Sequence, residues 1–325
     1  MQTLGSMLEA SEAGCNPFVL FNRECRPEPT CFVSPACRAV ALGEACFETF
    51  RMDSNGRVIG FEAHLQRLKR GASTLGFDPE RHHPSFDFSA ASVARELLEL
   101  REKWAQLKRS SKASATRFET QDFRIRIQLG RADSSGIYDD APENAAFFSL
   151  VRMFTAGPPA KPAKLWISSA RRIPAETIRQ DVKWSFYVPN VQLLARARAH
   201  GADDALLLDG DGNISEAATA NVFFFIDDAL VTPPPAADAL AGITRAEVIK
   251  AAEAGGIPVE QRRISPQEAR GAQAGFITNS MRGISPVESI DGASLSMNHS
   301  GLRRVMKIFR AHTQHTATDL ASYQA

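Results

Sequence analysis

The second half of the chain alternates between short apolar runs and helical patterns, and this alternation limits the folds open to it. Helical spacing occurs at Val191–His200 and Thr244–Ala254, and a terminal helix is predicted at Leu302–His312. The strand-like runs between and around the first two are LWISS, DDALLLD, ANVFFFI, ALVTP, VEQRRI and AGFITN. Strands that alternate with helices are typical of a mixed α/β domain. We therefore predict a larger domain of this class over residues 165–325.

The first half predicts a smaller α/β domain over residues 1–155. Asp53-Ser54-Asn55-Gly56 is a tight-turn signal, so Cys46–Met52 and Val58–Phe61 are predicted to form a hairpin. Apolar spacing and strict alternation then predict three further elements, the helices Ala63–Leu75 and Val93–Leu107 and the strand Phe123–Leu129.

Two stretches are predicted to lack regular structure. Residues 156–164 read AGPPAKPAK, which neither a helix nor a central strand accepts, so we predict an interdomain loop there. Residues 1–15 are small and polar and are expected to be disordered. They contain no basic residue and resemble neither a secretory signal nor a transit peptide, so we expect a cytoplasmic protein.

Composition excludes several classes of function. The formal net charge of the 325 residues is +1, which argues against a nucleic-acid or membrane surface. No apolar run approaches the roughly 18–20 residues of a membrane span. All five cysteines lie in the first 46 residues, without a C-x-x-C pair, and the nearest histidine is His64. We interpret them as reduced thiols and predict no metal site.

Three segments of the second half carry candidate chemistry. Lys183 follows Asp181-Val182 and precedes Trp184-Ser185-Phe186-Tyr187. An amine shielded from water loses its proton more readily and can attack a carbonyl carbon. The alternative is an exposed lysine with a buried stem.

The second segment suits a cationic ring, and the third suits an anion. Glu216 lies between two apolar strands, where a carboxylate is costly to bury unless a cation or a protonated ring nitrogen pairs with it. The alternative is a surface turn. Leu240–Arg245 opens a helix, where a glycine, a hydroxyl and free amides form a phosphate cradle. Thr278-Asn279-Ser280 ends a strand, a common place for ligand sites in α/β sheets.

Two arginines share one face of the strand Phe123–Leu129. Arg124 and Arg126 point away from the apolar face, either to solvent or into a cavity. In a cavity they are candidates to bind the carboxylates of an anionic substrate.

Taken together, these segments resemble the class IV aminotransferases, the fold-type IV enzymes that use pyridoxal 5'-phosphate. The resemblance includes E-A-A-T-A-N-V-F from Glu216, then L-V-T, and L-A-G-I-T-R ending at Arg245. F-E-T-F-R at Phe47–Arg51 and H-L-Q-R-L at His64–Leu68 are similar to the family's N-terminal markers. The similar part spans about residues 18–292. It implies a two-domain fold of the D-amino-acid aminotransferase type.

The resemblance implies a role for each matching residue. Lys183 holds pyridoxal phosphate as a Schiff base and later transfers a proton. Glu216 pairs with the ring nitrogen of the cofactor and keeps it protonated. Tyr187 approaches the phenolic oxygen. The residues implied to hold the phosphate are Arg67, Ile243, Thr244, Asn279 and Ser280. The family also implies a homodimer that acts on a small-molecule amino substrate.

The reaction has more than one interpretation. T-N-S-M-R-G-I-S-P-V, from Thr278, is most similar to the aminodeoxychorismate lyases, which form 4-aminobenzoate and pyruvate from 4-amino-4-deoxychorismate. The W-S-F-Y after Lys183 is closer to aminotransferases, with Phe186 where Asn is usual. After Gly130, R-A-D-S-S-G lacks the R-x-H of D-amino-acid aminotransferases. We favour the lyase. The alternatives are an aminotransferase for a small or branched-chain amino acid or an amine, and a non-catalytic protein of the same fold.

Overall fold

The computed structural model describes residues 16–78, 87–110, 120–134, 146–158, 161–235 and 238–324. Residues 1–15, which include Cys15 and are predicted to be disordered, lie outside these ranges. Residues 111–119, between the predicted helix Val93–Leu107 and the predicted strand Phe123–Leu129, also lie outside them. The chain forms two compact units. The first unit comprises Met1–Gly157, Val182–Phe186 and Ala317–Ala325, and the second comprises Pro158–Asp181 and Tyr187–Thr316.

The two units differ from the predicted domains in two segments. The break between Gly157 and Pro158 falls in the Pro-rich stretch, but Val182–Phe186 and Ala317–Ala325 belong to the first unit. Both segments pair through backbone hydrogen bonds with strands of the first unit, and no periodicity in the sequence encodes such a pairing. A strand also begins at Ala163, inside the stretch predicted to be a loop.

The first unit contains a seven-stranded sheet, in the order β16-β4-β3-β5-β6-β1-β2. Its strands are β1 (Phe18–Phe21), β2 (Glu24–Pro27), β3 (Ala45–Met52), β4 (Arg57–Val58), β5 (Phe123–Arg131), β6 (Phe147–Thr155) and β16 (Thr318–Asp319). Its helices are α1 (Arg38–Ala41), α2 (Phe61–Thr74) and α3 (Ala90–Ser110), with 3-10 turns at Glu28–Thr30 and Leu320–Gln324.

The predicted hairpin is confirmed, with a shorter second arm. Met52 pairs with Val58 across the turn. The expected strand Val58–Phe61 ends early because Gly60 adopts a left-handed conformation with φ 64° and α2 starts at the next residue.

The core of the first unit lies on one face of its sheet. Alternate residues of β5 (Phe123, Ile125, Ile127 and Leu129) are fully buried, as their alternation predicts. Helices α2 and α3 cover this face with an apolar stripe that includes Leu68 and Trp104. The opposite face carries both arginines of β5, whereas Glu48 of β3 is buried on the core face, where it pairs with Ile127.

The second unit contains a nine-stranded sheet, in the order β12-β11-β10-β13-β14-β7-β8-β9, with β15 beside β14. Its strands are β7 (Ala163–Arg171), β8 (Asp204–Leu208), β9 (Ile214–Ala217), β10 (Asn221–Ile226), β11 (Ala229–Thr232), β12 (Val259–Gln261), β13 (Ala274–Asn279), β14 (Gly283–Ile290) and β15 (Ala293–Ser294). Its helices are α4 (Val188–Ala199), α5 (Ile243–Ala254), α6 (Pro266–Arg270) and α7 (Ser300–Thr316).

Strand β10 is buried on both faces, which explains its continuous apolar run. Val222 and Phe224 belong to one core cluster, whereas Phe223 and Phe225 pack in another with α5 and α7. Its first residue, Asn221, is the only polar residue of this strand.

Strand β14 was not predicted from the sequence, because it contains Pro286. Proline is rare in central strands, since it cannot donate to the ladder. Here the strand changes partners at this point. Gly283–Pro286 pairs with β13, and pairing with β7 begins at Val287.

No helix in the described ranges is both long and apolar enough for a membrane span. Four cysteines, Cys25, Cys31, Cys37 and Cys46, are free thiols. Within the described residues, no group of three or more His, Cys, Asp and Glu side chains could hold a metal ion.

Candidate functional site

The backbone around Lys183 forms a short extension of the sheet in the first unit. Trp184 bridges to Cys46 in antiparallel fashion. The amide of Phe47 donates to the Lys183 carbonyl at 2.9 Å, and the amide of Ser185 donates to the Ala45 carbonyl at 2.8 Å. This half of β3 is available because β4 pairs only at the far end, with Met52. The main chain of Lys183 is therefore fixed on both sides.

The Lys183 side chain is half-buried and lies against an aromatic ring. Its Nζ is 4.8 Å from the ring centroid of Phe47. The guanidinium carbon of Arg126 lies 3.7 Å from the same centroid. A cation over a ring face is attracted by its quadrupole. One ring thus brings the candidate amine and a candidate substrate arginine into one neighbourhood.

Further arginines lie on the same sheet face. Arg152 of β6 pairs directly across from Arg126. Arg124 and Arg152 both contact the ring of Phe154, at 4.4 and 4.9 Å. Arg152 also forms an ion pair with Glu28 at 2.8 Å. Like charges directly opposite each other destabilise a sheet, so this face favours a bound anion.

Arg67 belongs to a buried charged cluster in the first unit. Its Nε and Nη2 donate to the two carboxylate oxygens of Glu48, at 2.6 and 2.9 Å. Nδ1 of His64 lies 2.6 Å from the same carboxylate. Burial raises the pKa of Glu48, but the charge of Arg67 and the His64 contact outweigh it and lower this pKa to about 2.

His64 itself is fully buried, and burial lowers its pKa. Its Nε2 has no hydrogen-bond partner among the described residues.

Glu216 is a buried carboxylate in β9 of the second unit, with 6% of its surface exposed. One oxygen, Oε2, accepts from the amide of Leu240 at 3.1 Å and from Nδ2 of Asn221 at 3.2 Å. The other, Oε1, lies 3.3 Å from Nη2 of Arg172. Donors on separate elements therefore satisfy both oxygens of this buried carboxyl group, as a buried polar group requires.

Thr244 and Ser280 meet at the start of α5, in the second unit. Their hydroxyl oxygens are 3.1 Å apart. Gly242 is the N-cap of this helix and supplies no side-chain cap. The first backbone amides of a helix, here starting with Ile243, have no intrahelical partner and attract anions. This helix start is a candidate phosphate site.

The remaining candidates contact backbone atoms of the second unit. Asn279 accepts from the amides of Met281 and Arg282 at 3.1 and 2.9 Å, and its Nδ2 donates to the Thr219 carbonyl at 3.2 Å. These bonds shape the turn that carries Ser280. The Tyr187 hydroxyl donates to the Ala218 carbonyl at 3.4 Å.

The structure groups the candidates by unit. Lys183, Arg67, Arg124 and Arg126 lie in the first unit, and Tyr187, Glu216, Ile243, Thr244, Asn279 and Ser280 lie in the second. Sequence reasoning gave no role to Glu48, His64 and Arg172, the direct partners of Arg67 and Glu216. The spacing of His64 and Arg67, one helical turn apart, was the one available signal.

Comparison with known proteins identifies what this chain is similar to. The family model for amino-transferase class IV matches residues 45–290. A D-alanine aminotransferase of Bacillus licheniformis is 26% identical over 286 residues, covering 87% of this chain and 92% of that protein.

Solved structures share the fold. The branched-chain amino acid aminotransferase of Escherichia coli superimposes with a TM-score of 0.74 and 25% identity, covering 93% of this chain and 96% of that one. A putative 4-amino-4-deoxychorismate lyase of Legionella pneumophila has a TM-score of 0.68 and 24% identity, covering 87% and 96%. At 24% identity, the similarity to the Legionella pneumophila structure shows a shared fold alone.

Proposed function

Because this chain belongs to the amino-transferase class IV family and is a pyridoxal-phosphate-dependent enzyme, we propose that Lys183 is its catalytic amine. The supporting observation is the placement of this amine. The backbone of Lys183 is fixed against β3, and its Nζ lies on the Phe47 ring beside Arg126. A group held in one place reacts faster than a free one. Bound pyridoxal phosphate supplies an electron sink for the bonds at the substrate carbon.

The residues at the start of α5 and around Glu216 fit this cofactor. A buried carboxylate suits a protonated ring nitrogen, and two hydrogen bonds, from Asn221 and Leu240, already hold Glu216 in place. A phosphate suits the hydroxyls of Thr244 and Ser280 and the free amides that begin with Ile243. We assign the ring-nitrogen contact to Glu216 and the phosphate contacts to these three residues.

The remaining assignments follow the chemistry of each group. For Arg67, whose guanidinium is held by Glu48, the proposed role is a charged contact with the phosphate. Asn279 shapes the turn of Ser280. Tyr187 orients the phenolic oxygen of the cofactor. The Nζ of Lys183 accepts a proton from the substrate carbon and later donates it to a different atom, which is general acid–base catalysis.

For the reaction we propose the lyase: 4-amino-4-deoxychorismate gives 4-aminobenzoate and pyruvate. The observation that carries this choice is the shared face of Arg124, Arg126 and Arg152. This substrate has two carboxylates, whereas D-alanine and branched-chain amino acids have one. A second carboxylate gives the opposed arginines a partner and offsets their repulsion.

The lyase is tested by supplying 4-amino-4-deoxychorismate to the protein saturated with pyridoxal phosphate and measuring pyruvate. We expect pyruvate release, and Arg126→Gln should raise KM by about ten- to a hundredfold, the usual worth of a charged hydrogen bond. The matched control is Arg51→Gln, because Arg51 lies on the same sheet face but pairs with Asp122 at 2.5 Å. No pyruvate from the saturated enzyme would overturn the lyase assignment.

The similarity to D-alanine aminotransferase supports a second candidate, an aminotransferase that moves an amino group between a small amino acid or amine and a 2-oxo acid. Such an enzyme converts its cofactor between pyridoxal phosphate and pyridoxamine phosphate when an amino acid is added. The absorption spectrum distinguishes these two forms. A spectrum that no amino donor changes would exclude this candidate.

We also propose that the enzyme is a cytoplasmic homodimer, by analogy with the family. Sedimentation of the purified protein tests the assembly. A mass of twice 35.5 kDa is expected, and a monomer at working concentration would contradict it.

A further inference from the structure

Asn221 connects two parts of the second unit that have separate roles in the proposed site. Its Nδ2 donates to Glu216 Oε2 at 3.2 Å and to the Leu240 carbonyl at 2.9 Å. The amide of Leu240 donates back to Glu216 Oε2 at 3.1 Å. These three bonds form a closed triangle that joins β9, β10 and the turn before α5.

The turn before α5 fits tightly against the same side chain. A Cβ added at Gly242 would lie 1.9 Å from Oδ1 of Asn221 and 3.0 Å from its Cγ. No side chain other than that of glycine fits there unless Asn221 moves. Gly242 is also the N-cap of α5, two residues before Thr244. The Asn221 amide therefore packs directly against the N-cap of this helix.

The register of the sheet extends this link to the other side of the helix start. Asn221 pairs with Thr278 of β13, and the next two residues along the chain are Asn279, which ends the strand, and Ser280. The Thr278 side chain is 2% exposed, and its hydroxyl has no hydrogen-bond partner among the described residues. Asn221 thus stands between Glu216 and both hydroxyl-bearing segments.

We propose that Asn221 is a positioning residue that couples the ring-nitrogen contact of Glu216 to the phosphate contacts at the start of α5. The inference rests on the proposed roles of Glu216, Thr244 and Ser280. A bound phosphate fixes the helix start and the turn before it. The turn holds Asn221, and Asn221 holds the carboxylate of Glu216. The phosphate therefore strengthens the contact at the ring nitrogen of the cofactor.

The coupling is measured with four ligands that bind the full-length apoprotein. They are pyridoxal phosphate, 1-deazapyridoxal phosphate (with CH in place of the ring nitrogen), and the same two molecules without the phosphate. The preference for the ring nitrogen is the ratio of Kd values within each pair. In the wild type we expect this preference to be about five- to tenfold larger when the phosphate is present, a typical coupling between sites.

The variants then assign the coupling to Asn221. In Asn221→Ala we expect the ring-nitrogen preference to be the same with and without phosphate. Asn213→Ala is the matched control and should keep the wild-type coupling, because Asn213 lies in the hairpin between β8 and β9 and only its backbone is hydrogen-bonded to Asp209. A wild type without coupling, or an Asn221→Ala protein that retains it, overturns the inference. A general loss of stability would lower all four affinities and leave the coupling unchanged.

A second cycle tests the contact with Gly242. Gly242→Ala should weaken pyridoxal phosphate binding about tenfold or more, because the added methyl displaces the Asn221 amide. In the Asn221→Ala background the nearest atom left for the same methyl is Cβ of Arg245, at 3.2 Å, and the further effect should be much smaller. Equal losses in both backgrounds would contradict a contact through Asn221.

Glu216→Gln separates this inference from the proposed function. It should abolish the ring-nitrogen preference with and without phosphate. If Glu216→Gln keeps that preference, the role of Glu216 is wrong. If Glu216→Gln loses it while Asn221→Ala keeps the coupling, the role of Glu216 stands and only the role of Asn221 is wrong.

Discussion

At the scale of single residues, the sequence indicated which groups can do chemistry but not which groups hold them. Lys183 and Glu216 are unusual as charged side chains in apolar surroundings, so the sequence alone predicts them as candidates. Glu48 and Arg67 are 19 positions apart, and only the packing of α2 on β3 places their side chains 2.6 Å from each other. Contacts of this kind depend on the fold and leave no local pattern.

The buried Glu48 carboxylate gives a prediction on stability. Removing one partner of a buried ion pair costs about 3–5 kcal/mol, because the other charge stays buried. Glu48→Gln should lower the free energy of unfolding at neutral pH by about this amount. Chemical denaturation measures it. The control is Glu24→Gln, since the pair of Glu24 with Arg26 is exposed to solvent and should contribute little to the free energy of unfolding.

The same carboxylate predicts a dependence on pH. Its pKa is about 2 in the folded protein and near the ordinary value of 4.5 when unfolded. A lowered pKa stabilises the fold above the unfolded value, and this stability is lost as the pH falls through the folded value. The advantage of the wild type over Glu48→Gln should therefore shrink between about pH 4.5 and pH 2. An advantage that stays constant across this window would contradict the buried ion pair.

At the scale of elements, the amphipathic pattern predicted the helices and strands whose buried faces it encodes. Helices α3 and α5 and strands β5 and β10 follow from their apolar spacing, because one buried face or two are encoded directly in sequence. Strand β14 was not predicted, since Pro286 is atypical of a central strand and the pairing of β14 depends on two partner strands. The isolated bridge of Trp184 with Cys46 and the strand β16 were likewise not predicted, because both are defined by backbone pairing with distant residues.

The C-terminal segment is predicted to stabilise the first unit. Leu320 is fully buried in that core, and its amide donates to the Gly56 carbonyl at 3.1 Å. Leu320→Ala should lower the free energy of unfolding by about 2–5 kcal/mol, as for other large-to-small changes in cores. Hydrogen exchange should show the loss in β3 and β4. The exposed Val191, changed to Ala, serves as the control, and an equal effect there would contradict the packing of Leu320.

At the scale of the whole molecule, the fold class and the family followed from the sequence, and the division into units did so only in part. The family match over residues 45–290 agrees with motifs that are visible in the sequence. The assignment of Val182–Phe186 to the first unit was not visible, although it carries the proposed catalytic amine. The Pro-rich stretch marks one crossing between the units, and nothing in composition marks the others.

The role of Lys183 is tested most directly by reducing the protein with borohydride in the presence of pyridoxal phosphate, digesting it and sequencing the labelled peptide by mass spectrometry. Reduction makes a bond between a lysine amine and the cofactor's aldehyde carbon permanent. We predict a phosphopyridoxyl group on Lys183 in the wild type and none at this site in Lys183→Ala. A label on a different lysine, or an unlabelled protein that has bound the cofactor, would contradict the account.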